Sequence, residues 1–176
     1  MRFRVLFVPA TFLKILLQLN MQKKSAGILL FRQKEGKLEV FLVHPGGPFW
    51  ARRDAGAWSI PKGEYEEDEE PLEAAEREFN EETGIGISGT FIPLSPVKLK
   101  SRKIITAWAA EGDCDPSAVR SSVFTMEWPP KSGGQQQFPE VDRAGWFDID
   151  EAEKKINPGQ KPLLEELSRI VAHGRD

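Results

Sequence analysis

The stretch "GEYEEDEEPLEAAEREFNEETGI" runs from Gly63 to Ile85. From Glu64 to Glu82 it holds eleven acids and a single base, Arg77, a net charge of −10. The whole chain carries −3, so the residues outside that stretch carry +7. An acidic island in a basic body suits a cation-bridged polyanion, though charge alone favours a solvated acidic helix. Pro71 suits a helix start and Gly84 a helix end, so the pattern predicts a helix over Leu72–Thr83. On its wheel, Glu81 and Glu82 fall within roughly 60° of Glu78, on one side of the helix. Leu72, Ala75 and Phe79 form the buried stripe, and Glu82 borders it. Neighbouring like charges destabilise a helix, and a hard divalent cation with oxygen ligands offsets that repulsion.

Outward from this helix, the chain reads as one domain of mixed α/β layers. Its 176 residues suffice for a sizeable core, and 40% hydrophobic with 29% charged residues is ordinary globular composition. Ala26–Phe31 and Leu38–Val43 are β-prone apolar runs joined by a polar hairpin loop, "RQKEGK". His44–Gly56 has the Gly and Pro density of a long loop, and "AWSIP" reads as a short strand ended by Pro61. Further strands are expected at Thr90–Leu94, Ile104–Ala110, Ser122–Trp128 and Ala144–Phe147, with helices at Asp150–Lys155 and Pro162–Ala172. "PPKSGGQQQFPEVDR" reads as a loop.

Cys114 is the sole cysteine, which excludes an intrachain disulfide and a thiolate metal cluster. Its acidic neighbours raise its pKa, so it reads as a loop residue rather than a nucleophile. His44 and His173 are too few and too far apart to suggest zinc. Residues 1–20 pair Arg2 and Arg4 with an apolar stretch, but no convincing cleavage site follows and the run is short for a membrane span. One reading is an N-terminal extension with the true start at Met21 and a single domain over 21–176. The other is a short amphipathic segment. The chain is expected to be cytoplasmic, and neither a membrane nor a nucleic-acid partner is expected; the sequence sets no oligomeric state.

The fixed positions Gly63, Glu69, Arg77, Glu78, Glu81, Glu82 and Gly84 resemble the box of the Nudix hydrolases, Gly-x5-Glu-x7-Arg-Glu-U-x-Glu-Glu-x-Gly-U. Phe79 stands where that family usually has an aliphatic residue. The resemblance implies an α/β/α sandwich around a mixed β-sheet. It also implies hydrolysis of a nucleoside diphosphate linked to another group, with Mg²⁺ or Mn²⁺ as cofactor. Glu78, Glu81 and Glu82 would be metal ligands with the Gly63 carbonyl. Glu69 and Arg77 would form an orienting salt bridge, and Gly84 would let the chain leave the helix. The lead-in Trp58–Gly63, "WSIPKG", resembles that of asymmetric dinucleoside polyphosphate hydrolases, which aims Lys62 at substrate phosphates. Arg52 and Arg53 are further phosphate candidates. Glu140, ahead of Trp146-Phe147, competes with Glu78 for the role of general base; Glu81 belongs to the same catalytic group. Trp108, Trp128 and Phe138 are candidate base platforms. ADP-ribose, diphosphoinositol polyphosphates, oxidised nucleotides and a catalytically silent binding module remain alternatives, as does an acidic Ca²⁺ buffer.

Overall fold

The structure, a computed structural model, describes residues 24–174. The proposed extension over residues 1–20 lies outside the described residues. Strands β1 (Lys24–Lys34) and β2 (Lys37–Pro45) form a hairpin. Only Glu35 and Gly36 separate them, with φ of 51° and 77°. The expected six-residue loop is therefore a two-residue turn, because positive φ at both positions matches the twist of the flanking strands.

The sheet runs β4 (Phe91–Lys98), β5 (Ile104–Glu111), β1, β2 and β8 (Val141–Asp148). β1 and β5 are parallel and the other pairs along this path antiparallel, so the sheet is mixed as expected. β3 (Lys62–Glu64) pairs with the first residues of β1, whereas β2 pairs with its last ones. One edge of β1 thus serves two partners, and the sheet splits between them. The expected "AWSIP" strand is reduced to isolated bridges at Trp58 and Ser59.

Both faces of the sheet are covered, which is why β1 and β2 read as continuous apolar runs. On one face Leu29, Val40 and Leu42 pack with Leu163, Leu164 and Leu167. Those leucines belong to α3 (Lys161–His173), which follows α2 (Ile149–Lys155). On the other face Ile28, Leu30 and Phe41 meet Ala74, Ala75 and Phe79 of α1 (Pro71–Thr83). The result is the α/β/α sandwich. Pro71 occupies the first turn of α1 and Gly84 ends it in the left-handed region at φ 72°. Ala75 and Phe79 are buried as expected; Leu72 is only half-buried, and Ala74 and Thr83 complete the stripe.

The Pro-, Gly- and Gln-rich segment is not all loop. Gln135–Pro139 is strand β7, paired antiparallel with β6 (Val123–Glu127). β8 begins at Val141, three residues earlier than expected. The polar glutamines are tolerated because this two-stranded unit is exposed on the β7 side.

Candidate active site

β3, the following loop and α1 bring the acidic residues together. Gly63 lies directly against the Glu78 carboxylate: a Cβ built there would sit 1.8 Å from Glu78 Oε2. No side chain is tolerated at that contact without displacement. One residue earlier, the Lys62 N–H donates to Glu82 Oε2 at 3.0 Å. α1 is therefore docked on β3 through two of its carboxylates.

Arg77 organises the others. Its Nε and Nη2 donate to the two oxygens of Glu69 at 2.9 and 3.2 Å, a bidentate clamp of the loop onto the helix. Its Nη1 donates to Glu78 Oε1 at 2.7 Å and to Glu81 Oε2 at 3.2 Å. The Glu69 bonds hold the Arg77 guanidinium well above its ordinary value and Glu69 below its own.

Burial sets the electrostatics. It pushes the Glu82 carboxyl up to about 7, against the Lys62 ammonium and the N–H of Lys62, with the Glu78 and Glu140 charges adding to the rise. Burial also raises Glu78, against the opposing effect of Arg77. Its side chain is 13% exposed, whereas that of Glu81 is 46% exposed. Desolvated carboxylates are hard oxygen donors whose charge lacks solvent, the condition a divalent cation relieves. Among the described residues no three acidic, His or Cys side chains converge to hold a metal ion, and Arg77 holds Glu78 and Glu81 toward itself. In chemistry the donor set of carboxylates fits a hard divalent cation.

A cleft of about 230 Å³ opens beside Glu82. Lys62 and Lys103 supply its ammonium groups, Glu140 a second carboxylate, Trp50 an aromatic wall, and Asn157 an amide. Glu140 stands between β7 and β8; its N–H donates to the Ser122 carbonyl at 2.9 Å, and its own carbonyl accepts from the Gly46 N–H at 2.8 Å. Glu82, Lys62 and Glu140 are thus brought together from three segments.

Arg52 and Arg53 are exposed and do not line this cleft; the Arg53 guanidinium lies over the Trp50 ring at 5.3 Å. Trp108 packs against the α1-side core, Trp128 against Phe49, and Phe138 against Phe124. Trp50 is the tryptophan that reaches the cleft wall, and it was not singled out by sequence, nor were Lys103 and Asn157. Trp50 had a signal, its place in the Gly- and Pro-rich loop. Cys114 is half-buried, and burial more than its acidic neighbours pushes its thiol up to about 11.

A family model described as the NUDIX domain matches residues 21–167. The chain belongs to the Nudix family. Curated relatives are matched over short segments. An RNA pyrophosphohydrolase of Bartonella henselae is 41% identical over 68 residues, 36% of each chain. One of Xylella fastidiosa is 45% identical over 47 residues, 26% of this chain and 25% of its own. The matched region thus spans about a third or less of those relatives. Among solved structures, the C. elegans Ap4A hydrolase binary complex aligns with a TM-score of 0.63 at 22% identity, covering 85% of this chain and 98% of that one. The NUDIX domain of Shewanella oneidensis NrtR, complexed with ADP ribose, aligns at 0.60 and 16% identity, over 94% and 99%. At these identities the likeness is one of Nudix fold. No helix among the described residues is long and apolar enough to cross a membrane.

Proposed function

We propose that the protein is a divalent-metal-dependent hydrolase of nucleoside diphosphates linked to a second group, with dinucleoside polyphosphates as its substrate class. One observation carries this reading. Half-buried Glu82 lines a single cleft with Lys62, Lys103 and Glu140. Carboxylates and ammonium groups face the same space, with Lys103 paired to Glu64 at 2.7 Å at its edge; a polyphosphate with its metal brings charges of both signs to it.

Glu78, Glu81 and Glu82, with the Gly63 carbonyl, would hold Mg²⁺ or Mn²⁺. When bound, such an ion acts as a Lewis acid on the phosphoryl group and lowers the pKa of the attacking water. The chain's own residues do the rest. Lys62 and Lys103 bind phosphate oxygens and hold the anhydride in the cleft. Arg77 fixes the acidic face of α1 against the loop, so that charge stabilisation is set up before the substrate arrives. Glu140 takes the proton of the attacking water; Glu78 is engaged by Arg77 at 2.7 Å and packed against Gly63, which leaves Glu140 the freer carboxylate in the cleft. Water adds across one P–O–P linkage, so diadenosine tetraphosphate yields ATP and AMP.

Several features support enzyme over silent binding module: all seven fixed box positions are present, and Gly63 is packed against Glu78 as a substituted residue could not be. The lead-in Trp58–Gly63 favours dinucleoside polyphosphates over ADP-ribose or diphosphoinositol polyphosphates. A substrate panel with product identification tests the reading. It should hold diadenosine tetraphosphate, ADP-ribose, a diphosphoinositol polyphosphate and a 5′-triphosphorylated RNA, each with Mg²⁺, Mn²⁺ or chelator. ATP plus AMP, formed only with metal, is the expected result. A much higher kcat/KM for another member of the panel moves the substrate class.

A further inference from the structure

His44 is fully buried, yet it contacts polar groups on two segments that build the cleft. Its Nδ1 lies 2.6 Å from Asp142 Oδ1. An ionised carboxylate only accepts, so Nδ1–H is the donor. Its Nε2 lies 2.8 Å from the Arg53 carbonyl and 2.9 Å from Arg143 Nη2, which also donates to that carbonyl at 3.3 Å. The ring packs edge-on against Trp58 at 5.3 Å.

The two partners are not incidental in position. Along the β2–β8 ladder His44 pairs with Arg143, but Pro45 pairs with Val141. Asp142 is therefore the extra residue of a bulge, which re-aims the strand next to Glu140. The next residue after Pro45, Gly46, donates to the Glu140 carbonyl at 2.8 Å. A Cβ at Gly46 would lie 2.0 Å from the Pro139 carbonyl oxygen, so the two segments touch there. On the other side, Arg53 follows Trp50 by three residues, and its N–H donates to the Trp50 carbonyl at 2.8 Å. One ring thus ties the strand start that carries Glu140 to the loop that carries Trp50.

We infer that His44 is a positioning residue: through Asp142 it sets Glu140, and through Arg143, whose Nη2 donates both to Nε2 and to the Arg53 carbonyl, it sets the Trp50 wall. This rests on the proposed reading of the cleft for its consequence in catalysis, though not for the contacts. The two arms have separable effects. Loss of the Asp142 arm displaces Glu140 and lowers kcat with little change in KM. Loss of both arms also loosens the Trp50 wall and raises KM. A misplacement of about 1 Å costs on the order of 10²-fold in rate, which sets the scale.

The test compares the full chain, Asp142→Ala, Glu140→Gln, the double variant and His44→Leu, with diadenosine tetraphosphate and Mg²⁺. Asp142 is partly exposed, so its variant folds even where His44→Leu does not. Asp142→Ala should lower kcat by roughly 10–10²-fold, and should add nothing in the Glu140→Gln background, since both act through one group. Full additivity, or an unchanged kcat in Asp142→Ala, overturns the inference. Hydrogen exchange provides a readout free of turnover. Asp142→Ala should speed exchange at the Gly46 and Glu140 amides, and His44→Leu at the Arg53 amide too. Unchanged protection at these amides overturns the inference even where no substrate is turned over, whereas absent turnover in the unmodified chain with altered protection in the variants defeats only the functional reading.

Discussion

The backbone N–H of Lys62 donates to the Glu82 side chain at 3.0 Å, so a half-buried carboxylate lining the cleft is held by the strand whose Lys62 lines the same cleft. This bond joins β3 to α1 at the point where the helix leaves its core. It predicts that Glu82→Gln, which keeps shape and one acceptor oxygen, leaves the fold intact. Metal-dependent turnover should fall by about 10²–10³-fold, the scale for losing one group that stabilises developing charge. Circular dichroism and steady-state rates across a Mg²⁺ titration check both halves; wild-type rates at limiting Mg²⁺ remove Glu82 from the site.

Metal-free stability should depend on pH through the same residue. Burial raises the folded pKa of Glu82 to about 7 from an ordinary 4.5. The folded state therefore binds the proton more tightly than the unfolded chain, and stability falls as pH rises from about 4.5 through 7. Mg²⁺ should restore part of that loss at the upper end by binding the ionised form. Thermal melts of the metal-free protein and of Glu82→Gln across this window provide the check. The fall should be shallower in the variant; identical slopes contradict the assignment.

Gly63→Ala should be far from conservative. Its Cβ would enter the space of the Glu78 carboxylate, so either β3 or α1 must shift. A cost of about 1–3 kcal/mol in unfolding free energy is expected, as for other overpacked contacts. Denaturant melts measure it, and activity should drop because Glu78 moves with the helix. A variant as stable as the parent means the contact relaxes without penalty.

The helix, its stripe and its acidic face were legible because charge, capping residues and apolar spacing all fall within one continuous stretch. Gly84 in the left-handed region and the Glu69–Arg77 clamp follow the spacing of the box. Other parts were hidden for a physical reason. β7 has no apolar alternation of its own; it is a strand because β6 lies beside it, from Gln135 opposite Glu127 to Pro139 opposite Val123. Trp50, Lys103 and Asn157 meet only through the tertiary fold, so no local pattern announces them. Arg52 and Arg53 had the charge for phosphate binding, but their loop turns them away from the cleft lining and uses Trp50 instead.

Arg77→Lys should separate charge from geometry. Arg77 serves Glu69, Glu78 and Glu81 at once through its planar fork, and a single ammonium cannot replace that arrangement. Turnover is expected to fall by at least about 10-fold while the net charge is unchanged, the effect being one of orientation. Parallel rates for Arg77→Lys and the parent protein show that charge alone suffices.

Glu140→Gln tests the proton-accepting role most directly. With diadenosine tetraphosphate at saturating Mg²⁺, kcat should fall by about 10²–10⁴-fold, while KM and metal affinity change little. The fall should not be recovered by raising Mg²⁺. A loss of only a few-fold in kcat contradicts the assignment and returns the role to Glu78.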